Sequence, residues 1–201
     1  MQQRSTWRVL AAVVLGLVAA GAWLGLAWAQ SEPGNDPMAQ MMKYAAPGEH
    51  HKHLARMVGK WNSKGKFWME PGKPPAETTG TAEFVPVLDG RFIQQNYHGT
   101  FMGQPFVGSG LEGYDNFKQK HIATWVDNMG TALLSFEGSC AQGGKVVTLS
   151  GELDDPASGQ HTKMRNVTTW QNDNQFTMES FGPGPDGKEV KMFELVYTRA
   201  S

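Results

Sequence analysis

An all-β fold, an up-and-down barrel of about ten antiparallel strands with a short N-terminal helix, is what this sequence predicts. Three observations carry the prediction. From His53 to Met69 the hydrophobic period switches. Leu54, Met57 and Val58 lie on one side of a helical turn; then Trp61, Ser63, Gly65, Phe67 and Met69 alternate with Lys60, Asn62, Lys64 and Lys66. After Gly59 no second helix of convincing length follows. The rest of the chain is cut at near-regular intervals by residues that accept positive φ or preset a bend.

Taken in order, residues 1–29 read as an export segment. Arg4 and Arg8 precede an uncharged run from Val9 to Leu26, and Ala27-Trp28-Ala29 offers a small-x-small cleavage pattern. The run is also near the length that spans a bilayer, so a retained anchor in the inner membrane stands as the alternative. Either reading places the remainder outside the cytoplasm, periplasmic or secreted, and makes this segment its sole membrane contact. Residues 30–47, rich in Pro, Gly and Met without a period, read as a flexible lead-in. Residues 48–201 make the barrel domain. It begins with a short helix over Glu49 to Val58.

The strand-like runs are Lys60–Glu70, Thr78–Leu88, Arg91–Phe101, Phe106–Tyr114 and Lys120–Asp127, then Ala132–Ser139, Lys145–Leu153, Gln160–Gln171, Gln175–Phe181 and Glu189–Arg199. Short hairpins join them all. Glycines inside the runs, such as Gly108, Gly110 and Gly138, suit the bends that a closed barrel requires. A barrel of this size is either filled by side chains or holds one small ligand.

Gly59-Lys60-Trp61 on the first strand, behind a short helix, resembles the G-x-W signature of the lipocalin (calycin) superfamily. There the Trp closes one end of the barrel beneath an Arg from near the end of the barrel. The resemblance therefore implies that Gly59, Trp61 and Arg199 close this barrel, with Arg199 over the Trp61 ring. A closer likeness covers about residues 48–199. EHHKHLARMVGKW, FMGQPFVGSGLEGYDNFKQK and ATWVDNMGT are similar to an uncharacterised bacterial family of lipocalin-like barrels, a domain of unknown function. That family implies a fold and no mechanism. The strand number is also similar to that of haem-binding nitrobindin barrels, but no residue here matches their proximal histidine, so no cofactor is carried over.

Trp61, Phe67, Tyr97, Trp125, Phe193 and Tyr197 are candidates for packed core or for the wall of an apolar cavity. Arg165 and Glu179 fall on neighbouring strands. Pointing inward, they would form a buried pair able to meet a carboxylate ligand; pointing outward, they would be an ordinary cross-strand pair. Glu112 and Glu194 carry the same ambiguity. His50, His51 and His53, with Met38, Met41 and Met42, invite a metal reading. On a helix, however, only His50 and His53 share a face, so the spacing favours a solvated helix start and no metal. His98, His121 and His161 sit on separate strands, and Cys140 has no histidine nearby in sequence and reads as a small buried thiol. Ser109 stands in no nucleophile elbow, because no helix follows it. The formal net charge of −1 and the lack of any Lys/Arg run argue against nucleic acid.

The leading expectation is an exported barrel that binds a small apolar ligand. An enzyme of the same fold, using inward carboxylates on a hydrophobic substrate, is the rival. A packed barrel acting through its surface is the third.

Overall fold

The computed structural model describes residues 36–201 apart from 71 and 156–158. The export segment and the first residues of the lead-in lie outside them. Among the described residues no helix is long and apolar enough to cross a membrane. Helix α1, Pro37–Ala45, forms where the sequence shows no period. It buries no residue of its own, and Asp36 caps it by accepting the Met38 amide at 2.9 Å.

Residues 46–201 form the second unit. Helix α2, Glu49–Ala55, opens it, and the Gly48 amide donates to His51 Nδ1 at 3.0 Å. Ten strands follow: β1 Gly59–Phe67, β2 Ala76–Val87, β3 Phe92–Phe101, β4 Gln104–Asp115, β5 Lys120–Asp127, β6 Leu134–Ala141, β7 Val146–Asp155, β8 Gln160–Asn172, β9 Gln175–Pro183 and β10 Glu189–Arg199. Each pairs antiparallel with its neighbour in sequence, and β10 returns to β1. The closing seam runs in register from Trp61↔Arg199 to Phe67↔Phe193. Closure removes both sheet edges, so every strand has a hydrogen-bonding neighbour on each side.

All ten expected strands are present. The helix ends earlier than the pattern suggested, and Val58 lies in the turn that leads into β1. Gly59 takes φ +127°, and a Cβ there would stand 2.9 Å from Arg199 Nη1. That is why this turn calls for glycine.

The packed core gathers at the α2 end. Trp61 is fully buried, with Phe176 at 4.8 Å between ring centroids and Trp170 at 6.0 Å. Phe176 stacks on Tyr197 at 4.5 Å, and Phe84 meets both edge-on. Leu54 and Met57 press onto this cluster from the helix side. Edge-to-face and offset contacts of this kind add to the large area that each ring buries.

Candidate functional site

The α2 end is sealed by one guanidinium. Arg199 lies 4.2 Å over the Trp61 ring. It donates to the carbonyls of Arg56 at 3.0 Å, Val58 at 2.9 Å and Asp173 at 2.9 Å. The planar fork thus ties the helix exit, β1 and the β8–β9 turn together, which a lysine could not do. The Trp61 indole N–H donates to Met57 O at 2.7 Å, satisfying a helix-end carbonyl. Gly59, Trp61 and Arg199 therefore meet at one closed end. Trp61 plugs that end and is not part of the cavity wall.

Above this plug the barrel is hollow. A cavity of about 390 Å³ runs up from α2, with Phe67, Tyr97, Trp125 and Tyr197 of the sequence candidates on its wall. Phe193 joins them. Among the described residues the opposite end carries no helix, and it is ringed by aromatics: Phe67 lies 5.1 Å from Phe101 and 5.5 Å from Phe193. Exposed Met69, Met102, Met129 and Leu133 occupy the strand connections at that end. Space for the cavity comes from small residues on the β4–β5 side. A Cβ at Gly108 would stand 2.2 Å from the Trp125 ring, so glycine there lets the indole lie against β4. The same indole donates to Asp127 at 2.9 Å.

Few polar groups enter the cavity. Gln95 donates to the Tyr197 hydroxyl at 3.2 Å, and that phenol is held neutral by burial. Asn166 Oδ1 is buried without a hydrogen-bond partner. Glu112 faces the cavity from β4, and burial pushes its carboxyl up to about 7.

Arg165 and Glu179 stand elsewhere, which corrects their inward reading. Side chains alternate along a strand, and Met164, Asn166 and Met178 take the inward positions. Arg165 therefore points out, where its Nε donates to Glu189 at 2.9 Å and its guanidinium lies 4.2 Å over Phe181. Glu179 pairs with Lys191, which also binds Glu194 at 2.8 Å. Two of the three ambiguous carboxylates, Glu179 and Glu194, thus face outward, and Glu112 is the one that faces inward.

The histidines correct a second expectation. The start of α2 is not solvated: His51 is buried, and His50 stacks on Tyr114 at 3.9 Å. His50 Nδ1 lies 3.2 Å from His121 Nε2 and 3.4 Å from Cys140 Sγ. His50, His53 and Cys140 each offer one ligand atom, and these atoms all lie within 4.8 Å of one another. Burial, then the neighbouring imidazoles, press His121 down to about 4, and burial also lowers His50. The sequence offered one local hint of this cluster, the shared face of His50 and His53. Docking of α2 across the barrel supplies the rest.

The model of a family described as "Protein of unknown function (DUF1579)" matches residues 46–199. The chain belongs to that family. No curated protein matches it. Among solved structures, Rv2717c from M. tuberculosis is 12% identical with a TM-score of 0.53, covering 78% of this chain and 100% of its own. Two further structures have lower TM-scores. A fluorescence-activating β-barrel is 13% identical with a TM-score of 0.41, covering 73% of this chain and 96% of its own. EF1p2_mFAP2b bound to DFHBI is 13% identical with a TM-score of 0.42, covering 75% of this chain and 99% of its own. At these identities the likeness to Rv2717c speaks for the barrel fold of this DUF1579 chain alone.

Proposed function

We propose that this barrel, exported by its N-terminal segment, binds one small and largely apolar molecule in its interior. One observation supports this above the others. The interior is an apolar, aromatic-walled cavity of about 390 Å³, within the size range of small-molecule sites, with only a few polar groups on its wall. A packed barrel acting through its surface would have closed this space with side chains.

The enzyme reading keeps one supporting observation. Glu112, titrating near neutrality inside an apolar cavity, is placed for general acid–base work, whereas Glu179 is not. Native mass spectrometry of protein purified from its own host, together with titration of a fluorescent apolar probe, tests the proposal. A co-purifying mass or a saturable probe signal is expected, and Ala123→Trp, which fills the cavity wall, abolishes it while the fold is retained. An empty protein that takes up no apolar probe overturns the reading. A ligand turned over by wild type but only bound by Glu112→Gln moves the assignment to catalysis.

A further inference from the structure

The His/Cys cluster under α2 lies at the floor of the apolar cavity, but its chemistry does not depend on what the cavity binds. We propose that His50, His53 and Cys140 hold a zinc ion, with His121, which lies beside His50 but outside that mutually close set, turning in as the fourth donor. The donor set is the first reason. Imidazole nitrogens with one thiolate form the N/S environment that zinc prefers, and a tetrahedral zinc site needs four such groups. Spacing is the second. Zinc bonded to nitrogen at ~2.05 Å and to sulfur at ~2.3 Å sets ligand–ligand edges of roughly 3.3 and 3.5 Å. The observed separations are 3.2 Å from His50 Nδ1 to His121 Nε2 and 3.4 Å from His50 Nδ1 to Cys140 Sγ.

The third reason is a hydrogen-bond shortage. A neutral imidazole nitrogen has one lone pair, yet both His121 and Cys140 crowd the same atom of His50. His121 is only 2% exposed, and the buried His53 Nδ1 has no partner. Within the protein alone this network leaves members unsatisfied, and buried polar clusters of that kind are costly. A cation that takes the lone pairs of His50, His53 and the Cys140 thiolate together removes the competition at His50. Binding releases the thiol proton to solvent. The ion would join α2, which carries His50 and His53, to β5 and β6, which carry His121 and Cys140. Because His53 and His121 also line the cavity, it would sit at the cavity floor.

The test uses the full chain stripped with a chelator. Zinc is titrated against a chromophoric competitor, and cobalt(II) serves as the spectroscopic probe. One equivalent of zinc is expected, and the cobalt form shows tetrahedral d–d bands with a thiolate-to-cobalt charge-transfer band. Cys140→Ser removes the charge-transfer band and weakens zinc at least ten-fold; His53→Gln weakens it comparably. His161→Gln, on an exposed residue beside Asp154, leaves it unchanged. A wild-type cobalt spectrum without the thiolate band overturns the assignment even where a variant fails to fold. Equal zinc affinity in wild type and Cys140→Ser does so as well, since it places the metal elsewhere.

Discussion

The two halves of this barrel use the same strands to opposite ends. At the α2 end, Trp61, Phe84, Trp170, Phe176 and Tyr197 fill the bore with interlocked rings. Toward the other end the inward positions of β4 and β5 carry Gly108, Gly110 and Ala123, and the bore stays open. Strand topology is shared, so the difference lies in side-chain volume, helped at one end by Leu54 and Met57 from the helix side. A strand scaffold fixes the diameter, and residue size then decides whether the interior becomes core or container.

The largest effect should come from opening the packed end. Trp61→Ala removes the central ring of the cluster and the platform beneath Arg199. It should lower unfolding stability by roughly 3–5 kcal/mol, read as a shift in the urea midpoint. A loss under 1 kcal/mol would mean that the two halves are equally expendable.

In the hollow half, the matching residue is Glu112. Its carboxyl is raised by burial from an ordinary value of 4.5 to about 7, so the folded barrel holds that proton more tightly than the unfolded chain. Stability from this group is complete below pH 4.5. It is lost as pH rises toward 7, an effect on the order of 3 kcal/mol. Glu112→Gln should flatten the pH dependence of the unfolding midpoint across that window. Identical profiles for wild type and variant would show that water already reaches the carboxyl freely.

The smallest effect belongs to the outer face. Arg165→Ala breaks a pair with Glu189 that is well exposed to water, so it should cost no more than about 1 kcal/mol and leave probe binding unchanged. A variant that lost the probe would reopen an inward role for Arg165.

Much of this arrangement was legible in the residues. Turn chemistry marked all ten strands, and the Gly59-x-Trp61 and Arg199 pairing followed from a recognisable pattern. Strand faces were harder. Phe176, Met178 and Ser180 take the inside of β9, and Glu179 therefore takes the outside, but a one-residue slip would have reversed them all. The bulge between Lys191 and Phe193, and another between Trp170 and Asn172, make counting by twos unsafe. The hollow itself had no local signature, because it depends on which small residues face one another across the bore. Least legible was the contact between His50 and Cys140. They lie 90 residues apart, and nothing near either one announces the other.

Nine of the ten strand junctions are made between neighbours in sequence, and only the Trp61–Arg199 seam joins distant parts. With that seam unmade, the sheet would be a curling ribbon with two unpaired borders, each a template for another copy. The longest-range pairing of the barrel is thus concentrated in one seam. A chain slow to bring its tenth strand home would exchange strands with its neighbours.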